Sequence, residues 1–307
     1  MKNTINFYYN IFLDELIKKD NCYYFYYGGD EYYFVPLNRP YDDVQSIYKL
    51  NLEMKKRRCL VHELVLNKDK SIITIVNGIS YVLIKLCKYK NDKVFLNDIN
   101  YIQNMTVNIE CDKSLVRNEW IKLWSEKIDY YEYQISQVGK KYPLLCDSLS
   151  YFIGMGENAI SYLVNNLDFK TNVNLVVSHK RIYQERGSLN FYDPLNFVVD
   201  SRVRDVAEFI KETFYNKTLN LYDLKSYFNM ANLNKNEYIL LLGRLLFPTY
   251  YFDIYDDIIN KGKSEELVIN IIDRTDEYES LLNTIYKFIL YEKKARLEPI
   301  EWLQDKN

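Results

Sequence analysis

The spacing of apolar residues divides the chain into a β-rich first third and a mainly helical remainder. In the first third, apolar and polar residues alternate in short runs, and Asn77-Gly78 joins two of these runs as a tight hairpin turn would. Residues 41–58 instead place apolar side chains at helical spacing. The predicted strands are residues 22–27, 31–37, 62–66, 72–76 and 80–86. We therefore predict a small antiparallel sheet with one inserted helix within residues 1–90.

The remainder of the chain has a helical period with one interruption. The predicted helices are residues 115–138, 143–166, 203–215, 222–230, 235–246, a segment after Pro248, and 264–291. Short β-like runs at residues 173–177, 189–192 and 197–199 interrupt them. The pattern predicts a helical lobe over residues 113–307, with a β insertion at 173–200 and a connector at 91–112. Gly154 and Gly156, inside a predicted helix, indicate close packing or a local break.

Charge and composition exclude several classes of protein. The chain has 40 Lys and Arg against 42 Asp and Glu, so its net charge gives no basis for binding nucleic acid or an anionic membrane. Asp14 and Glu15 interrupt the first apolar run, so we expect no export signal. The longest apolar run, residues 71–87, contains Lys85 and alternates like strands, so we expect no membrane span. Five widely spaced cysteines are typical of reduced thiols in the cytosol.

The β insertion carries the candidate chemistry. His179 ends one predicted strand, Asp200 ends another, and Asp205 opens the next helix. This order resembles the protein-kinase-like fold of aminoglycoside phosphotransferases. The resemblance implies a two-lobed α+β fold, with a small antiparallel β lobe and a larger helical lobe. It also implies that His179 belongs to the catalytic loop, that Asp200 holds a metal ion, and that Asp205 braces the loop.

The same resemblance fails at the positions that phosphoryl transfer needs. The catalytic base position, two residues after His179, holds Arg181, which cannot accept a proton. Arg186 stands where a metal-binding Asn is expected. The strand at 31–37 has no phosphate-binding Lys, and Arg39 is the nearest basic residue. The pair Gly28-Gly29 is not a glycine-rich phosphate loop. We therefore expect no cofactor, a degenerate loop at His179 and Arg181, and at most a vestigial metal position at Asp200.

Simpler interpretations exist for the same residues. For His179 we favour a core histidine that is hydrogen-bonded to the backbone. Asp200 and Asp205 are consistent with capping of the helix at 203–215. We also expect Arg181 to pair with a nearby carboxylate, of which Asp193 is one candidate, because a buried unpaired charge is costly.

A narrower resemblance covers the C-terminal two-thirds of the chain. Several long, aromatic-rich stretches look like the spore-coat-associated, kinase-like proteins of the CotS/YutH group, and the YutH-like branch is the closer fit because it too has a basic residue in place of the base. The stretches are residues 120–134, 152–160, 192–196, 204–210, 244–253 and 298–303. On physical grounds, Arg244 and Trp302 are expected in the core rather than in a site.

The resemblance implies a protein of endospore formation that is made in the mother-cell cytoplasm and then deposited on the spore coat, with other coat proteins as partners. We predict a catalytically degenerate kinase-like protein with a structural or scaffolding role. Two alternatives stay open. One is an active Mg·ATP-dependent phosphotransferase that uses a displaced carboxylate such as Asp193 and acts on a small molecule or a coat protein. The other is a nucleotide-binding regulator without turnover.

Overall fold

The computed structural model describes residues 1–88, 93–171, 173–184 and 187–304. These residues form an α+β fold with a six-stranded antiparallel sheet, a separate pair of strands and a larger helical part. The chain divides into two compact units: residues 1–116 with 175–200, and residues 117–174 with 201–307. The predicted β insertion therefore belongs to the first compact unit, whereas the sequence pattern had assigned it to the helical lobe.

The first unit is built around the predicted sheet. Its elements are α1 (Lys2–Tyr9), β1 (Ile17–Lys19), β2 (Cys22–Tyr27), β3 (Asp30–Pro36), α2 (Tyr41–Lys56), β4 (Glu63–Val65), β5 (Ile73–Val76), β6 (Ile79–Lys85), α3 (Leu96–Met105), β7 (Leu175–His179), α6 (Gly187–Phe191) and β8 (Phe197–Ser201). The strands pair in the order β1-β2-β3-β6-β4, with β5 on β6. All five predicted strands and the inserted helix are confirmed, whereas α1 and β1 were not predicted.

One face of this sheet packs against α1 in a hydrophobic cluster. Phe34 lies opposite Leu83 in the β3–β6 register, and both side chains are buried with Phe25 and Ile5 of α1. Burying each of these side chains contributes about 1.5–3 kcal/mol. At the β5–β6 turn, Asn77 and Gly78 have positive φ angles of 52° and 79°, the conformation that this hairpin sequence favours.

Two expectations about connecting segments are wrong. Residues 96–105 lie within the predicted connector at 91–112, for which no helix is predicted, yet they form α3, because Leu96, Ile99 and Ile102 recur at helical spacing and are buried. Residues 189–192, predicted as a strand, instead overlap the short helix α6. Both Phe191 and Tyr192 are buried, so this segment lacks the one-sided alternation of a surface strand.

The second unit is helical. Its α-helices are α4 (Trp120–Val138), α5 (Pro143–Asn166), α7 (Val203–Tyr215), α8 (Leu221–Ala231), α9 (Lys235–Leu246), α10 (Thr249–Lys261), α11 (Ile269–Ile272), α12 (Thr275–Tyr291) and α13 (Glu301–Gln304). Helices α5, α7 and α9 have the predicted bounds. The predicted helix at 264–291 is instead broken into a 3₁₀ turn (Glu265–Val268), α11 and α12. In the parts of the chain that the structure describes, none of the helices has the length and apolar character to cross a membrane.

Glycines allow the helices of this unit to approach closely. A Cβ atom on Gly243 of α9 would lie 2.4 Å from Cδ2 of Leu163 on α5, and one on Gly156 would lie 3.0 Å from Cδ1 of Ile128 on α4. A Cβ atom on Gly154 would have no atom within 4 Å apart from the nearby backbone of its own helix and its chain neighbours. Helix α5 continues through both of its glycines, so close packing rather than a break explains Gly156.

A cluster of buried charges lies where α7, α9 and the start of α10 meet. The Arg244 Nε donates to Oε1 of Glu208 at 2.9 Å, and the guanidinium lies 4.8 Å above the Trp120 ring. The Lys211 ammonium donates to the Phe247 carbonyl and to the Thr249 hydroxyl, each at 2.8 Å. Arg244 is therefore part of the core, as the sequence predicts.

Candidate functional site

His179 is the last residue of β7, and its imidazole is buried. The ring stacks on Phe191 at 4.4 Å and meets the edge of Phe197 at 5.3 Å. Its Nε2 lies 2.7 Å from the Phe191 carbonyl oxygen, which can only accept, so Nε2 carries the proton. This geometry is that of a histidine which positions the backbone of the following loop.

Asn196 holds both sides of this loop together. Its carbonyl oxygen accepts from the Lys180 amide at 2.8 Å, and its side-chain amide donates to the Arg181 carbonyl at 2.9 Å. The Asn196 Oδ1 accepts from the Arg181 amide at 3.4 Å. Asn196 thereby matches the backbone hydrogen-bonding groups of Arg181 on both sides, and the loop has little freedom to rearrange there.

Arg181 lies at the position that the resemblance assigns to the catalytic base. Its residue is half-buried, and the guanidinium Nη1 donates to the Lys180 carbonyl at 2.7 Å. Arg186, the second basic residue that departs from the phosphotransferase pattern, lies outside the described residues. An arginine in this position cannot take a proton from a hydroxyl group.

Asp193 is a carboxylate with unusual electrostatics in this region. Its Oδ1 accepts from the Leu195 amide at 2.9 Å and so caps the 3₁₀ turn Pro194–Asn196. Desolvation raises the pKa of Asp193 to about 6, although the Leu195 amide and the charges of Arg39, His179 and Lys180 favour the ionised form. The residue keeps some accessible surface. A carboxyl group that titrates near neutral pH can exchange protons, as a functional group does.

Arg39 is the buried cation of this site. It lies between β3 and α2, its side chain is 2% exposed, and its Nη2 donates to the carbonyl of Phe197. Its Nη1 is 3.7 Å from Oδ2 of Asp43 in the first turn of α2. The sequence marks Arg39 only as the basic residue nearest to a strand that lacks a lysine, and nothing in its local pattern indicates a contact 158 positions away.

The two remaining predicted residues, Asp200 and Asp205, belong to different compact units. Asp200 is fully buried in β8, next to Val199, which forms a parallel bridge with Val116. Asp205 is buried in the first turn of α7, where a negative charge interacts favourably with the helix dipole. The N-cap position of α7 is occupied by Arg202 rather than Asp200.

The features that would hold a nucleotide are replaced by tight turns. A phosphate cradle requires several backbone amides on an extended glycine-rich loop. The β1–β2 hairpin instead closes between Lys19 and Cys22, and the β2–β3 hairpin closes between Tyr27 and Asp30, leaving two residues in each turn. The sequence of β3 contains no lysine. Across the described ranges, no group of three or more His, Cys, Asp or Glu side chains is arranged to hold a metal ion. The two hairpin turns and β3 therefore provide neither a glycine-rich phosphate loop nor a phosphate-binding lysine.

Comparison with protein families agrees with this architecture. The family described as "Spore coat putative kinase YutH" matches residues 2–285. The chain belongs to the spore-coat YutH family. One YutH relative, the endospore coat-associated protein YutH of Bacillus subtilis strain 168, is 29% identical over 208 residues. That match covers 60% of this chain and 61% of the relative, which is less than two thirds of its length.

Solved structures with a similar fold are aminoglycoside and related phosphotransferases. An aminoglycoside phosphotransferase from Alicyclobacillus acidocaldarius has a TM-score of 0.63 at 9% identity, covering 92% of this chain and 94% of that chain. A spectinomycin phosphotransferase solved with ADP and spectinomycin has a TM-score of 0.57 at 10% identity, covering 86% and 89%. At these identities the likeness shows the fold alone. The predicted kinase-like α+β fold of this YutH-family chain is therefore confirmed.

Proposed function

We propose that this protein is a catalytically inactive, kinase-like component of the endospore coat, with a structural or scaffolding role. The observation that carries the proposal is Arg181, which stands at the expected base position and donates to the Lys180 carbonyl. Phosphoryl transfer depends on a proton acceptor, a lysine on the phosphates and metal ligands. The two-residue hairpin turns and the lysine-free β3 support the loss of nucleotide binding as well.

Family membership supports the cellular part of the proposal. The relative in Bacillus subtilis is named as endospore coat-associated. We accordingly propose that this chain is made in the mother-cell cytoplasm and deposited on the coat, where other coat proteins are its partners. A fluorescent fusion expressed in a sporulating strain that lacks YutH tests this: the proposal expects a signal around the forespore, and diffuse fluorescence contradicts it.

Substitutions separate scaffolding from catalysis in the same experiment. If the protein acts as a scaffold, Arg181→Ala and Asp193→Asn should be deposited like wild type, because neither variant removes a group that packs in the core. Loss of deposition in variants whose melting temperature is unchanged would favour an active site. Gly243→Ala serves as the control for deposition that fails through instability.

An active phosphotransferase is the second candidate, and Asp193 is the observation that favours it. Its raised pKa, about 6, is suited to a general base, and its neighbour His179 ends the strand that precedes the loop. Release of phosphate from Mg·ATP with aminoglycosides or coat extracts as acceptors tests this candidate. Turnover that is abolished by Asp193→Asn would establish it, and no turnover above buffer is the result that we expect.

A further inference from the structure

Arg39 makes contacts that neither candidate function explains. One buried guanidinium donates to the carbonyl of Phe197, the first residue of β8, and lies 3.7 Å from Asp43 at the start of α2. The backbone beside it is fixed, since the Leu37 amide donates to the Ser80 carbonyl at the beginning of β6. Arg39 therefore joins the end of β3, the N-terminus of α2 and the start of β8, all within the first compact unit.

Residues 191–197, which lead into β8, form a segment that Arg39 and the His62 amide attach to the rest of the unit, in addition to the contacts of His179 and Asn196 with the β7 loop. The His62 amide donates to the Tyr192 carbonyl at 3.0 Å, which attaches the beginning of the segment to the residue before β4. Arg39 attaches its end at Phe197. Asp193 lies between these two attachments, where the Arg39 charge favours its ionised form.

Several other groups surround the Asp193 carboxyl. His179 on β7 and Lys180 in the following loop favour its charged form, and the Leu195 amide donates to it. On β2, burial raises the pKa of the Cys22 thiol, and the charges of Asp20 and Asp193 raise it further. Strand β2 contains no Lys or Arg, and Arg39 is the buried arginine among these neighbours.

We propose that Arg39 is a built-in cation that fastens the 191–197 segment to the sheet and α2, so that this segment keeps one conformation with no metal ion or nucleotide bound. In a phosphotransferase, Mg²⁺ and a lysine neutralise the charge gathered at the site. Here an intramolecular guanidinium supplies positive charge from the position after β3. The inference rests on the proposed function, because it explains how the site stays ordered without a ligand.

The chemistry of arginine suits this role better than that of lysine. A planar guanidinium presents five donors in a fixed fork, so it can contact a carbonyl and a carboxylate at the same time. A lysine supplies the charge from a single point. Arg39→Lys should therefore keep much of the electrostatic effect on Asp193 and lose part of the attachment at Phe197, whereas Arg39→Met should lose both.

Amide hydrogen exchange measured by mass spectrometry tests the attachment. Arg39→Met should speed exchange in peptides covering 191–197 by about tenfold or more, with Arg39→Lys in between, and leave peptides from α5 unchanged. Arg57→Met is the matched control: Arg57 also donates to a carbonyl, that of Val107, at 3.0 Å and lies 3.5 Å from a Glu53 oxygen, but its side chain is 30% exposed. Equal exchange in Arg39→Met and Arg57→Met would overturn the proposal.

A second test is the titration of the Asp193 carboxyl, followed by ¹³C NMR. Loss of packing alone does not change the midpoint of this titration. The Asp193 midpoint should rise in Arg39→Met and stay near its wild-type value in Arg39→Lys and Arg57→Met. An unchanged midpoint in Arg39→Met would contradict the role of its charge.

If Mg·ATP stabilises the wild type, the proposed function fails while these two measurements still report on Arg39. If Mg·ATP has no effect and exchange is also unaltered, only the Arg39 inference fails.

Discussion

The two compact units bury charge in different ways. In the second unit, Glu208, Lys211 and Arg244 contact one another and a helix C-terminus, with Arg244 and Glu208 joined at 2.9 Å. The Lys211 ammonium donates to backbone carbonyls at the end of α9, where the helix dipole favours a cation. In the first unit, Asp193 is surrounded by cations, yet desolvation still raises its pKa to about 6.

This difference in how the charges are satisfied distinguishes a structural cluster in the second unit from a candidate functional group in the first. Charges that are fully satisfied by partners stabilise one packing arrangement, and removing a single partner is strongly destabilising. A carboxylate that is kept ionised at a cost to stability is typical of a site with, or derived from, a function. By this criterion Asp193 is a candidate functional group of the first unit, whereas Glu208, Lys211 and Arg244 form a structural cluster.

The largest expected effect is in the second unit. Glu208→Ala should lower the free energy of unfolding by about 3–5 kcal/mol, because it leaves Arg244 and Lys211 buried without their carboxylate. Chemical denaturation measures this change. Glu212→Ala, on the same helix but at a half-buried position, is the control and should change stability by less than about 1 kcal/mol. Similar losses of unfolding free energy in Glu208→Ala and Glu212→Ala would show that Arg244 and Lys211 do not depend on the Glu208 carboxylate.

A smaller effect is expected from the helix contact beside this cluster. Gly243→Ala should cost about 1–3 kcal/mol, because its Cβ would lie 2.4 Å from Leu163 in a buried contact between α5 and α9. Gly154→Ala meets no atom within 4 Å and should instead stabilise α5 by about 0.5–1 kcal/mol. Thermal denaturation of the two variants compares them directly, and destabilisation by both would indicate that space is not the cause.

Asp193→Asn should stabilise the protein at pH 7 by about 1–2 kcal/mol, after allowance for partial exposure. The folded-state pKa of Asp193 is about 6, above the ordinary 3.8 of the unfolded chain. The stability associated with this carboxyl is therefore fully present below about pH 4 and is lost as the pH rises through 6. An Asn side chain does not ionise, so the variant avoids this loss of stability, and its Oδ1 can still accept the hydrogen bond from the Leu195 amide.

The pH profile is the sharper form of the Asp193 measurement. The difference in unfolding free energy between Asp193→Asn and wild type should be greatest above pH 6 and should disappear near pH 4. A constant difference from pH 4 to pH 8 would mean that the substitution acts through packing. A destabilised variant at pH 7 would mean that Arg39 and Lys180 stabilise the ionised carboxylate more than desolvation opposes it.

The smallest expected effect concerns Arg181. In the loop, Nη1 of Arg181 donates to the Lys180 carbonyl, and the residue is half-buried. Arg181→Ala should therefore change the free energy of unfolding by about 1 kcal/mol or less. A loss near 3 kcal/mol would indicate the buried arginine–carboxylate pair that the sequence predicts.

Arg181→Asp should not produce phosphate transfer, because the hairpin turns and β3 still lack the groups that hold phosphates.

The sequence predicts the regular elements well because their signals are local. The bounds of α5, α7 and α9 follow from apolar spacing, and the β5–β6 turn follows from Asn77-Gly78. Helix α3 was missed because its short apolar period lies in a polar stretch. The site is harder to predict, since the importance of Arg39 depends on Phe197, which is distant in the sequence. Similarly, the raised pKa of Asp193 depends on burial, which no local pattern indicates.

Isothermal titration of the wild-type protein with Mg·ATP tests the central claim most directly. The account predicts no saturable heat at millimolar nucleotide, because two-residue turns and a lysine-free β3 leave the phosphates without a cradle or a cation. Saturable binding that Asp200→Ala abolishes would contradict the account, since it would show that the kinase-like site still holds a metal–nucleotide complex.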